Sequence, residues 1–330
     1  MSDSIPTRLR APRLALGLIL SAVAATAAAA APAAEPQALG PQAAARVAAA
    51  TQTPLLAVTR AGARLVAAGD HGVILLSDDD GRSFRQATAV PVQVLLTSLS
   101  FVDAQHGWAA GHDGVVLATA DGGETWTLQH RDVDGDKALF AIHFEDAQHG
   151  FAVGLFGLAI QTADGGQTWS PLTIAGGERT DRHLFAIFGG HGAPLFTAAE
   201  SGVVFRSTDG GASWQEIQTT NPGSFWAGTA LGDGRWLMAG MRGHLFESRD
   251  DGLSWQEIAS GTDQSLTAVA RFGDGRAVVA GLGGTVLVRE AGASAFVLQQ
   301  RADRAALAAL AEGSAGAPLL FGDKGVLASP

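Results

Sequence analysis

The sequence predicts an all-β protein: a seven-bladed β-propeller closed by an N-terminal strand in the last blade. Three observations predict it. First, the pattern Ser/Thr-x-Asp-x-Gly-x-Ser/Thr-Trp/Phe occurs five times, at 77–84, 119–126, 162–169, 207–214 and 248–255. Its aspartates Asp79, Asp121, Asp164, Asp209 and Asp250 stand 42, 43, 45 and 41 residues apart. A step of roughly 40–50 residues holding several short strands marks a propeller blade. Second, Gly-x-x-Gly and an apolar stretch precede each copy, at Gly69/Gly72, Gly111/Gly114, Gly154/Gly157, Gly240/Gly243 and Gly281/Gly284. Ala199/Gly202 is a weakened copy, and Gly322/Gly325 makes a seventh unit with no aromatic strand after it. Third, 43 of 330 residues are glycine, against a usual share of about 7%. So many glycines without a collagen period supply turns between short strands.

The N-terminus reads as a cleaved secretory signal over residues 1–30. Arg8, Arg10 and Arg13 precede an apolar run from Leu14 to about Ala25, which decays into alanines with small-x-small sites. Residues 31–41 are rich in Ala, Pro and Gln and read as a flexible lead-in. Residues 42–330 form the propeller. Cleavage moves the formal charge from −10 to −12, because three arginines leave with only Asp3. Export without any cysteine fits a bacterial periplasm.

One blade illustrates the rest. Strand A lies near 97–102 and turns at Asp103-Ala104-Gln105-His106-Gly107. Strand B is 108–111, a tight turn follows at His112-Asp113, and strand C is 115–119. The Asp-box turn then leads to strand D at 125–130. Asp and Ser/Thr side chains bond to backbone N–H groups within such turns, so the five box aspartates read as structural. Their Trp or Phe packs between neighbouring blades. Strand A lines the central channel, where Ala57, Ser98, Ala141, Ala186, Ala227, Ala268 and Ala308 are small enough for a crowded axis. Residues 43–49 align with strand D of other blades and are expected to complete blade seven, which hides an otherwise open edge.

The box resembles the BNR repeat of sialidases and related propellers. The fuller unit, Phe101-Val102-Asp103-Ala104-Gln105-His106-Gly107-Trp108-Ala109-Ala110-Gly111, recurs as Phe144-Glu145-Asp146-Ala147-Gln148-His149-Gly150-Phe151-Ala152-Val153-Gly154. It resembles the photosystem II stability/assembly factor family of propellers over residues 43–330. The resemblance implies a non-enzymatic assembly factor for a membrane complex, without cofactor or metal. Photosynthetic members carry a basic patch. This chain is acidic, with scattered Arg131, Arg179, Arg182 and Arg242 on its loops. For an exported bacterial member, the resemblance implies a membrane protein complex of the envelope, an inner-membrane transporter of the resistance-nodulation type among such clients. The propeller is expected to be a monomer.

Other function classes fare less well. The acidic balance argues against nucleic acid, which needs a basic face. Sialidases use a Tyr nucleophile, and this chain has no Tyr. A carbohydrate-active or glycan-binding propeller remains the alternative, with Asp70, Asp113 and Glu200 at one rim as candidate carboxylates. His71 and His112 stand beside Asp70 and Asp113, while His106 and His149 repeat as turn elements. No phosphate loop, dinucleotide fingerprint or nucleophile elbow occurs. Partner-binding residues are expected on the rim formed by the B–C turns and the D–A linkers. Leu155, Phe156, Met241 and Arg242 fill B–C turns there, Arg179 and Arg182 lie in the longest D–A linker, and Phe225 and Trp226 begin a strand A. Aromatics, Met and Arg are the types enriched in interface cores.

Overall fold

A computed structural model describes residues 42–176 and 181–327. The expected signal segment and lead-in lie outside the described residues, as does Arg179. Seven antiparallel sheets follow one another along the chain, six with four strands and the last with three. The inner strands are Leu55–Ala61, Leu96–Phe101, Leu139–Phe144, Leu184–Gly189, Phe225–Gly232, Leu266–Arg271 and Leu307–Glu312. Each packs beside the next, and the last packs beside the first, so the ring is closed. Among the described residues the only helical elements are short 3-10 turns.

Burial explains the sequence pattern of each strand. The second strand of every blade is covered on both faces by neighbouring sheets. It therefore reads as a largely apolar run, as in Ala277–Gly281, all of whose residues are buried. The fourth strands lie outside and are mostly polar and exposed, as in Gln215–Gln218. The box aromatic bridges the two environments by packing on the preceding blade. Trp126 joins the blade-one residues Val66, Ile74 and Leu76, Trp255 meets Phe196 of blade four edge-on at 5.9 Å, and Phe84 meets Phe321 of blade seven at 6.0 Å.

Each box carboxylate is committed to its own turn. Asp79 accepts from Ser77 Oγ at 2.8 Å, from the Ser83 N–H at 2.9 Å and from Ser83 Oγ at 2.6 Å. Asp121, Asp164, Asp209 and Asp250 repeat the same set. Hydrogen bonds, the Ser83 hydroxyl first, hold the Asp79 carboxyl at about 2. Thr168 and Ser213 likewise hold Asp164 and Asp209 at about 2. Asp103 and Asp146, in the A–B turns, are held at about 2 by bonds from His106 and His149.

These shifts set an acid response. A carboxyl held below its ordinary value favours the folded state above that value, and the benefit disappears as pH falls through the folded value. The aspartates therefore withdraw stability between about 4 and about 2. His143 acts earlier. It packs against His191 at 5.6 Å between ring centroids and is pushed down to about 4, chiefly by burial and then by the His191 charge. Because the unfolded chain takes up that proton near 6.5, stability declines as pH falls from 6.5 to about 4. Denaturant melts across pH should show both stages, and His143→Gln should remove only the upper one. An unchanged profile in that variant would refute the assignment.

The closing strand is not as the sequence predicts. Among the described residues no fourth strand pairs with the outer edge of Gly325–Leu327, which bonds only to Pro318–Gly322, and residues 42–47 form no strand. They dock on blade one instead, where the Ala44 N–H donates to Val90 O at 2.9 Å and the Val47 N–H to Gln86 Oε1 at 3.1 Å. The alanine-rich run has little β propensity, and these bonds satisfy it locally. What does close the ring is the next stretch. In blade one, a Cβ on Gly72 would stand 2.1 Å from Val92 O, in the linker to blade two. On Gly325 it would stand 2.0 Å from Thr51 O. Thr51 thus occupies the linker position for blade seven, and Arg60 Nη2 adds a bond across the seam to Glu312 O at 2.7 Å.

Candidate functional site

A bulge in every inner strand builds the mouth of the channel. Register shifts between Leu55/Ala57, Leu96/Ser98, Leu184/Ala186, Phe225/Ala227, Leu266/Ala268 and Leu307/Ala309 leave one residue unpaired in each, and blade three skips Phe140 in the same way. A bulge re-aims the side chain it frees. The seven freed residues are Leu56, Thr97, Phe140, Phe185, Trp226, Thr267 and Ala308, and all line the channel. Ala308 lines the channel as expected, though by register Ala309 is the residue equivalent to Ala57, Ser98 and the other small residues.

The seven positions divide by chemistry. Thr97 Oγ1 donates to Leu139 O of the next blade at 2.7 Å, and Thr267 Oγ1 donates to Leu307 O at 2.7 Å. These threonines tie blades together. Blades three, four and five carry Phe140, Phe185 and Trp226 instead, which form a continuous arc. Phe140 and Phe185 stack with centroids 5.6 Å apart and planes 7° apart, and Phe185 meets Trp226 at 6.4 Å. All three are half-buried. His183 stands edge-on to Phe140 at 6.3 Å and to Phe185 at 5.9 Å.

Phe156 extends the arc outwards. Its ring lies 4.8 Å from His183 and is 59% exposed. Its φ is 52°, a left-handed conformation that is a steric outlier for so bulky a residue. Equivalent turns place His71, Asp113, Ser201 and Arg242 in the same conformation. The Phe156 N–H donates to His183 Nδ1 at 2.9 Å, so in the neutral ring the proton resides on Nε2. The backbone N–H of His183 donates to Glu200 Oε2 at 3.1 Å.

The remaining expected rim residues are placed as follows. Leu155 is half-buried beside Phe156. Met241 and Arg242 line a pocket of about 440 Å³ together with Glu200. Two expectations are corrected. Phe225 is fully buried, edge-on to Phe246 at 5.2 Å, because the residue before the bulge faces the blade interior. Arg182 is only 8% exposed and binds Glu216 at 2.9 Å, so it braces the linker rather than presenting a charge. Sequence reasoning passed over Phe140, Phe185 and His183. The signal was the triplet of large residue, variable residue, small residue that opens each inner strand, as in Leu139-Phe140-Ala141 and Leu184-Phe185-Ala186.

The candidate carboxylates of a glycan site have local partners. Asp70 bonds its own His71 at 2.9 Å, Asp113 binds Arg131 at 3.0 Å, and Glu200 serves His183. Among the described residues no three His, Asp or Glu side chains gather as metal ligands would.

Comparison with known proteins agrees with this architecture. A solved structure of YCF48 bound to D1 peptide is similar, with a TM-score of 0.66 and 19% identity over 83% of this chain and 92% of that one. YCF48 from Cyanidioschyzon merolae gives 0.65 and 14% over 83% and 94%. The WD40 propeller domain of Doa1 gives 0.66 and 10% over 87% and 94%. At such identities the likeness shows the fold alone. No curated protein matches the sequence. The family model described as photosynthesis system II assembly factor YCF48 matches residues 83–140 and 127–317. Spanning most of the ring, that match shows that the chain belongs to the photosystem II assembly factor family of β-propellers.

Proposed function

We propose that the chain is a non-catalytic, exported assembly factor that holds a segment of a membrane-protein client at the aromatic mouth of its channel. The observation that carries the reading is the arc of Phe140, Phe185 and Trp226 continued by the exposed, strained Phe156. Strain of this kind persists where surrounding structure enforces it and clusters at functional positions. Aromatic residues gathered on one rim are the usual anchors of an interface. Family membership supports an assembly role, and a solved relative holds a D1 peptide. The residues 1–30 pattern supports delivery to the periplasm, where a transporter of the resistance-nodulation type is a suitable client.

The test uses purification of the tagged mature chain from native envelopes. Wild type is expected to recover an inner-membrane protein. Trp226→Ala should lose most of that capture. Phe156→Gly should lose it while holding or raising Tm, since relief from a left-handed φ is worth roughly 1–2 kcal/mol. Full capture by both variants would move the interface to another surface. A marked drop in Tm for Phe156→Gly would show that the ring serves packing.

A further inference from the structure

We infer that the client group seated on the arc is cationic: an arginine or lysine side chain within an apolar segment, held over the rings with Glu200 as counter-ion. The inference rests on the functional reading above and names the chemistry of the partner. Aromatic faces carry negative potential and attract cations, more strongly when water is excluded. The arc offers Phe140, Phe185 and Trp226 at the channel mouth, with Phe156 and His183 behind them.

Glu200 supplies the charge. One of its oxygens accepts the His183 N–H. The other lies 3.9 Å from His183 Nε2, too far for a hydrogen bond, and so keeps its lone pairs free. The linkers entering these strands add Asp136 and Asp181, both exposed and without a basic partner among the described residues. Nearby basic groups are already engaged: Arg182 by Glu216 at 2.9 Å and Lys137 by Asp132 at 3.8 Å. Arg242 lines the same pocket as Glu200, where it would meet a backbone carbonyl or an acidic neighbour of the inserted cation. The formal charge of −10 adds a long-range attraction of the same sign.

The probe is a pair of short synthetic peptides, identical apart from one central residue among apolar neighbours: arginine in one, and in the other citrulline, which keeps the shape and drops the charge. Calorimetry with the mature chain should show binding of the arginine peptide and about tenfold weaker binding of its partner, in the range of a partly desolvated cation–π contact. Glu200→Gln and Phe185→Leu should each weaken the arginine peptide about tenfold and remove the difference between the two peptides, with Tm unchanged. Equal affinity for both peptides, binding of neither, or indifference to Glu200→Gln would overturn the inference. In each of those cases client capture from envelopes that still depends on Trp226 would leave the functional reading standing. Capture that ignores Trp226 would remove both.

Discussion

Trp126→Ala should lower the free energy of unfolding by about 3–5 kcal/mol, a large part of a domain's usual margin of about 5–15 kcal/mol. The indole is 4% exposed and lies between blades one and two. It meets Phe101 edge-on at 6.1 Å, and its N–H donates to Gly123 O at 2.9 Å. Truncation therefore removes apolar burial, an aromatic contact and a hydrogen bond, and leaves a cavity that a sheet-on-sheet boundary has little freedom to collapse. Trp169 and Trp214 hold the same slot in blades three and four but are half-buried, and their indole N–H groups lack acceptors among the described residues. Their alanine variants should lose less. Urea titrations of the three variants give the ranking. A loss at Trp126 no greater than at Trp169 would show that the boundary relaxes around the missing ring.

Glu247→Ala is expected to cost a similar amount, about 3–5 kcal/mol, for a different reason. Glu247 lies inside the boundary between blades five and six, its side chain 2% exposed, and binds Arg289, itself 7% exposed, at 2.5 Å. Burial opposes its ionisation, yet Arg289 and then Arg249 outweigh that and keep the carboxyl below its ordinary range. The Arg289 guanidinium also lies 4.8 Å from the centre of the Phe296 ring. Removing the carboxylate strands a buried cation that the ring alone does not neutralise. The paired variant Glu247→Leu with Arg289→Leu should regain most of the loss, because well-packed apolar groups often replace a buried ion pair without penalty. Thermal and denaturant melts of the single and double variants form the cycle. Equal losses in both would show that the loss comes from packing volume rather than from the stranded charge.

The ring was legible because each blade repeats its constraints. A buried second strand is almost wholly apolar, a left-handed turn favours Gly, and the box aspartate must reach one N–H and two hydroxyl donors, so spacing alone places these elements. The seam was half legible. Thr51 fills the linker position that alignment implies, but whether residues 43–49 pair with a strand depends on competition between two docking surfaces, which periodicity does not report. The mouth was least legible. A bulge shifts register by one residue without altering the apolar pattern, so Trp226 was found as an aromatic at a strand start while Phe140 and Phe185 were passed over. Burial likewise separated Phe225 from Trp226, adjacent residues of the same type with opposite environments.

The bond between Arg60 and Glu312 spans 252 residues of chain, and that separation governs the order of assembly. Blades one to six join partners adjacent in sequence, so they can form as a linear array, each docking on its predecessor. The contact between blades one and seven comes last and carries the loop-closure entropy of nearly the whole propeller. Until then, the flank of blade one that receives blade seven stays wet. A quality-control protease or holdase would meet that unfinished flank first. Moving the break to another linker, by joining the present ends and cutting elsewhere, should preserve the folded ring while changing which flank waits.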